Sequence, residues 1–225
     1  MANIYFISYA DEKYAEIQKK RTAEFAEKRY FDTQFMFTRD WLVKEPFYTE
    51  HKDILDAPRG GGYCLWKSKI ILETIKTVEP GDIILYLDVS DEIKGDKDEF
   101  RKLLTDLTNE HDIVLTSGKY KNKQYTKNHV FEAMNATGPE FRESIQIEAG
   151  IILLKASLNT YDLMTEYLYW CTKNDVIDDT LGNECLEFID VRYDQSVLSI
   201  MAIQHELFQT EALRKHIKCN VNDPK

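Results

Sequence analysis

The run Ile83-Ile84-Leu85-Tyr86-Leu87 restricts the possible folds more than any other segment of the sequence. It has no polar alternation, and it stands between the stop signal Glu79-Pro80-Gly81 and the carboxylate of Asp88. Such a run is read as a buried strand, which needs layers to cover it. The rest of the chain supplies them in alternation. Residues 3–8 form another strand-length apolar run, and from Asp11 to about Tyr30 the residues Tyr14, Ile17, Arg21 and Phe25 recur at helical spacing. Residues 34–38 place Phe35 and Phe37 on one face of a strand, and Pro46 opens a short helix that must end before Pro58. Ile71, Ile75 and Val78 mark a helix over 65–78, and Phe100, Leu103, Leu104 and Leu107 mark another. Strands at 113–116 and 146–154 and helices at 158–170 and 194–202 complete the pattern. Strand and helix alternate throughout, which predicts an α/β fold around a mostly parallel central sheet flanked by helices. With 225 residues, 43% of them hydrophobic, the chain is expected to form one domain over 1–225.

Charge and cysteine usage narrow the function classes. Lys and Arg number 29 against 39 Asp and Glu, a formal net charge of -10, so a general nucleic-acid partner is not expected. No segment approaches the roughly 20 apolar residues of a membrane span, and the start of the chain lacks the basic and apolar regions of a secretory leader. Cys64, Cys171, Cys185 and Cys219 form no C-x-x-C pair. Reduced thiols and a cytoplasmic location are the expectation. The 13 Tyr and 11 Phe suit a site for flat bases or sugar rings.

In open α/β sheets the ligand crevice lies beyond the carboxyl ends of the strands, which directs attention to Ser8-Tyr9, Asp88 and Thr116-Ser117. Asp88, with Asp91 three residues on, can hold a hard divalent cation that bridges phosphates, although Asp and Ser also form plain solvated turns. In Arg59-Gly60-Gly61-Gly62-Tyr63-Cys64-Leu65-Trp66-Lys67 a flexible turn leads into a helix with a cation on each side, a candidate pyrophosphate receptor. It matches neither the G-x-x-x-x-G-K-[ST] loop nor G-x-G-x-x-G, so kinase and dinucleotide-dehydrogenase readings lose support. A phosphatase of the haloacid-dehalogenase type would need a second acid two residues after Asp88, where Ser90 stands. Glu148-Ala149-Gly150 introduces an acid at the edge of an apolar strand, and Asp194 opens a helix either as its cap or as a base facing a crevice. The five His show no metal-pair spacing; His205 and His216 are weak candidates for a third ligand. The irregular stretches 118–128 and 173–187 read as surface or binding loops.

Four ordered elements together resemble one family. Residues 59–67 look like its R-G-x-G-Y-W-x-W-K-P element, 81–88 like G-D-I-I-x-Y-x-D, 148–155 like x-A-G-I-I-L-L-K, and 192–199 like the R-Y-D-Q-S-I-L-S part of a helix start. The family is the GT-A nucleotide-diphospho-sugar transferases of bacterial capsule and lipopolysaccharide clusters and of large DNA viruses of algae. The resemblance spans about residues 3–205. It implies a single Rossmann-like GT-A domain that transfers a sugar, UDP-hexose favoured, to a hydroxyl of a glycan or glycoconjugate acceptor, assisted by Mn2+ or Mg2+, with inversion favoured. Carried over, Ser8 and Tyr9 would meet the nucleoside, with Val89 and Ser90 beside it. Asp88 would meet the ribose or metal, and Asp91 the metal. Arg59 and Lys67 would lie near the diphosphate, and Glu148 near the donor sugar or acceptor. Asp194 would deprotonate the acceptor hydroxyl. The chain departs from the pattern at Ser68, where the family has Pro, at Val191, where it has His, and at Ser90, where the D-x-D metal motif has its second Asp. The alternative is a sugar-nucleotide-binding protein with little or no catalysis. A large acceptor would dock on the two irregular loops or on a fused or separate partner domain.

Overall fold

The computed structural model describes residues 2–219. Among these residues eight strands are present: β1 (Ile4–Ala10), β2 (Thr33–Thr38), β3 (Ile83–Leu87), β4 (Glu92–Ile93), β5 (Ile113–Lys121), β6 (Ile145–Lys155), β7 (Phe208–Gln209) and β8 (Ile217–Lys218). Six form one sheet in the order β2-β1-β3-β6-β5-β7, while β4 and β8 pair separately. β1 runs parallel to β2 and β3, β6 runs against both of its neighbours, and β7 is parallel to β5. The sheet is therefore mostly parallel with one reversed strand, in accord with the expected α/β class.

Five longer helices cover the sheet: α1 (Ala15–Lys28), α2 (Leu65–Thr77), α3 (Lys97–Glu110), α4 (Leu158–Cys171) and α5 (Tyr193–Gln204). One face packs Ile7, Ile84, Tyr86 and Ile152 against Ile71 of α2, Met164 and Tyr167 of α4 and Leu198 and Met201 of α5. The other packs Phe6, Leu85 and Leu153 against Phe25 of α1 and Phe100 and Leu104 of α3. Every side chain of β3 is buried, as a strand covered on both faces requires. No helix among the described residues is long and apolar enough to cross a membrane.

Several local expectations change. Tyr14 caps α1 from outside, and the buried polar positions of that helix are Gln18 and Arg21, the latter ion-paired with Glu24 and Glu92. The helix opened by Pro46 is two pieces, Pro46–Glu50 and Lys52–Leu55. Residues 118–128 are not an irregular loop: β5 continues to Lys121 and the turn Asn122–Tyr125 is helical. The backbone closes tightly there, since a Cβ on Gly118 would lie 2.6 Å from the Gln146 carbonyl oxygen. A polar, exposed strand end of this kind has no apolar alternation to announce it. Residues 178–192 do lack regular structure beyond turns.

Candidate active site

The carboxyl ends of β1 and β3 open onto a cavity of about 370 Å³, lined by Tyr9, Asp11, Lys13, Tyr14, Gly60, Gly61, Trp66, Lys67, Tyr86, Asp88, Val89 and Ser90 among others. Tyr9 belongs to β1 itself, which runs to Ala10 rather than stopping at Ser8. Its ring stacks on Trp66 at 4.1 Å with 17° between planes. Burial pushes the Tyr9 phenol up to about 12, so it stays neutral at physiological pH.

Trp66 and Lys67 are delivered by an unusual turn. Gly60, Gly61, Gly62, Tyr63 and Cys64 have φ of 59°, 57°, 98°, 51° and 61°, a left-handed turn that two non-glycine residues share. Gly62 is required there, because a Cβ would lie 2.7 Å from the Leu55 Cα. The amides of Gly62, Tyr63 and Cys64 donate to the carbonyls of Ala57, Arg59 and Gly60. Those three are therefore not available to a pyrophosphate, whereas Gly60 and Gly61 line the first cavity. The Trp66 indole N–H donates to the Gly60 carbonyl at 3.1 Å and so fixes the ring that carries Tyr9.

Lys67 is only 4% exposed. Its Nζ donates to the Ala149 carbonyl at 3.0 Å, pairs with Asp194 at 3.0 Å and lies 3.7 Å from Asp88. Burial disfavours its charge, but Asp194 and then Asp88 outweigh burial and hold its pKa above the ordinary lysine value. Burial raises the Asp194 carboxyl, and Lys67 and the Tyr167 hydroxyl, which donates at 3.0 Å, work against that rise. Asp88 accepts a further hydrogen bond from the Tyr86 hydroxyl at 2.6 Å.

The Ala149 carbonyl is free for Lys67 because β6 is bulged. From Leu115 to Ser117, two steps along β5, the partners on β6 run from Ile152 to Ile147, five steps. Residues 148–151 are thus released from the β5 ladder, a device that re-aims groups near active sites. The Asp88 amide donates to the Gly150 carbonyl at 3.0 Å. A Cβ on Gly150 would lie 2.9 Å from the Asp88 Oδ2, so glycine gives Asp88 its room.

A second cavity, also of about 370 Å³, lies on the other side of Asp88 and is lined by Asp88, Asp91, Lys119, Tyr120, Glu148, Gly150, Arg192, Gln195 and Cys219. Glu148 is held by Arg214 at 2.5 Å. Asp88 and Asp91 sit on one tight turn, in which the Asp91 amide donates to the Asp88 carbonyl at 3.0 Å. Among the described residues no group of three or more His, Cys, Asp or Glu is placed to hold a metal ion. Two hard carboxylates on one cavity wall nevertheless suit Mg2+ or Mn2+ of the kind that takes one or two carboxylates and completes its shell with phosphate and water.

The fold thus gathers Tyr9, Lys67, Asp88, Val89 and Ser90 at the first cavity and Asp88, Asp91 and Glu148 at the second. Three expected contacts are corrected. Ser8 is fully buried and its hydroxyl donates to the Leu87 carbonyl at 2.8 Å, so it braces the strands rather than meeting a nucleoside. Arg59 is committed to Asp179 and Asp190 at 2.9 Å each and lines neither cavity. Asp194 is 4% exposed and lines neither cavity, so it is placed to hold Lys67 and not to reach an acceptor hydroxyl. His205 pairs with Glu166, His216 packs on Phe100, and neither lines either of these two cavities. Sequence reasoning passed over Trp66, Tyr86 and Gln195. A tyrosine inside an otherwise aliphatic buried strand was the available signal for Tyr86, because a buried hydroxyl needs a partner.

No protein-family profile matches the chain and no curated protein matches it. Solved structures do. They include mouse xyloside xylosyltransferase 1 in its apo form, 11% identical over 92% of this chain and 84% of that chain, with a TM-score of 0.47. The galactosyltransferase LgtC in complex with donor and acceptor sugar analogs is 10% identical over 92% of this chain and 73% of that one, TM-score 0.47. A glycosyltransferase involved in the glycosylation of the major capsid of PBCV-1 is 13% identical over 84% of this chain and 80% of that one, TM-score 0.39. The chain resembles GT-A nucleotide-sugar transferases in the motifs at 59–67, 81–88, 148–155 and 192–199. At these scores no residue role is carried over from the solved structures.

Proposed function

We propose that this chain is a glycosyltransferase, one GT-A domain over residues 1–225 that moves a sugar from a nucleoside-diphosphate donor, UDP-hexose favoured, to a hydroxyl of a glycan or glycoconjugate acceptor with inversion. The observation that supports it is the pair of cavities meeting at Asp88, one aromatic and cationic, the other polar and lined by charges of both signs. A flat base suits the Tyr9–Trp66 side of the first. The diphosphate suits the Lys67 wall, and the donor sugar would then lie at Asp88 with the acceptor entering from the second cavity. Transfer develops oxocarbenium character on the sugar while negative charge builds on the leaving diphosphate. Lys67, fixed by three oxygens, is a preorganised cation for that charge. Asp88 and Asp91 would hold Mn2+ or Mg2+, which when bound neutralises the diphosphate. Glu148, which lines the second cavity, would take the acceptor proton, a role worth roughly 100- to 10,000-fold. Asp194 acts through Lys67 as a positioning residue.

A thermal-shift series over UDP-, GDP- and dTDP-sugars with and without Mn2+ tests the reading. A UDP-sugar with Mn2+ is expected to raise the melting temperature, Asp88→Ala to abolish the shift, and Glu148→Gln to keep the shift while losing transfer. Absence of a shift with every nucleotide sugar overturns it. A sugar-nucleotide-binding protein with little turnover is the second reading. It is favoured by the Lys67 ammonium 3.7 Å from Asp88, a resident cation beside the metal position. Donor hydrolysis in the presence of Mn2+ separates the two.

A further inference from the structure

The second cavity carries positive charge that the transfer chemistry leaves unused. Lys119 on β5 and Arg192, just before α5, both line it. Two of its three acids have cations of their own, Glu148 in Arg214 at 2.5 Å and Asp88 in Lys67 at 3.7 Å, and the third, Asp91, is the one read above as a metal ligand. Among the described residues neither Lys119 nor Arg192 has a carboxylate within ion-pair distance. Asp190, which feels the Arg192 charge, is itself taken by Arg59 at 2.9 Å. The Arg192 guanidinium instead lies over ring faces, 4.1 Å from the Tyr125 centroid and 5.2 Å from that of Tyr120. Its backbone amide donates to the Tyr125 carbonyl at 3.1 Å, which fixes the base of the side chain. A guanidinium supported on its faces keeps its N–H edge for a planar or tetrahedral anion, and Lys119 adds a second charge at the same cavity.

We propose that Lys119 and Arg192 recognise an anionic group, carboxylate or phosphate, on the acceptor sugar. The proposal rests on the transferase reading, because that reading makes the second cavity the acceptor side. The donor diphosphate has its own cations, Lys13 and Lys67, in the first cavity.

Equilibrium titration with methyl glucuronide, glucose 6-phosphate, methyl glucoside and UDP tests it. The native protein is expected to bind at least one of the two anionic sugars about tenfold more tightly than the neutral glucoside, the size of one charge-assisted contact. The stronger anion identifies the group. Lys119→Glu, at an exposed position that the fold does not need, should remove the preference, and Arg192→Lys, which keeps the charge and loses the fork, should reduce it. UDP affinity should change less than about twofold in both. Equal binding of all three sugars overturns the proposal. So does a loss of UDP affinity as large as the loss of sugar affinity, which would assign the two cations to the donor. Failure of UDP to bind while the anion preference persists would instead remove the transferase reading and leave an anion site.

Discussion

Arg59 and Lys67 stand eight residues apart in one segment and end in opposite circumstances. Arg59 lies at the surface, its side chain 46% exposed, spread over the Tyr193 ring and bound to two aspartates of the 178–192 stretch. Lys67 lies behind the sheet end, 5% exposed by the same measure, with two carboxylates and a carbonyl around its ammonium. Both are cations flanking a glycine turn, and as residue types either could serve a diphosphate. The left-handed turn decides between them, because it reverses the chain between the two and sends only the second inward. A charge earns a site role from what the backbone does beside it. The contrast also predicts energetics, since the surface pairs are open to screening and the buried ones are not.

The largest expected effect comes from breaking the buried side. Lys67→Met leaves Asp194 buried without its cation and should lower stability by about 3–5 kcal/mol in urea denaturation, with Lys67→Met/Asp194→Leu recovering most of it. A double variant as unstable as the single one would show that the pair is not what holds this region. An intermediate effect is expected with pH. The Lys67 pKa is raised in the folded state, so its contribution is complete below the unfolded lysine value of about 10.4 and is lost as pH rises from there toward the folded value. The alkaline decline in stability should therefore be shallower in the double variant than in the native protein, and identical slopes would exclude Lys67 as its source. The smallest effect belongs to Arg59→Ala. Its pairs are exposed and should change global stability by less than about 1 kcal/mol, while proteolysis within 178–192 accelerates. A loss matching that of Lys67→Met would erase the distinction.

The sequence made the fold class plain because periodicity and apolar runs report burial directly, as in β3 and α2. It also brought Asp88 to the crevice, since a polar residue ending a buried parallel strand has few other places to go. What stayed hidden depends on contacts distant in sequence. Asp194 reads equally as a helix cap and as a base until Lys67 and Tyr167 are seen against it. Ser8 follows an apolar run and still turns inward to the Leu87 carbonyl, because β1 extends two residues beyond it. The β6 bulge is a mismatch of register between two strands, and no local pattern in either strand encodes such a mismatch. The acidity of the chain was read as a global property, whereas the site pairs Asp88 and Glu148 with resident cations and, among the described residues, leaves Lys119 and Arg192 without a carboxylate at ion-pair distance.

The reversed strand has a consequence for the order in which the molecule can assemble. β6 lies between β3 and β5, yet it follows both in the chain. Until residues 145–155 have been synthesised, β3 and β5 have no partner on the sides that later face each other, and each presents an open edge. A nascent chain ending before β6 therefore holds the β2-β1-β3 sheet and an unpaired β5, since β7 also comes later, and any truncation there should favour association with other chains over folding. The strand that brings Glu148 and the Ala149 carbonyl to the crevice is also the one that joins β5 to the rest of the sheet, so that wall of the site and the continuity of the sheet arrive together, before α5 adds Asp194.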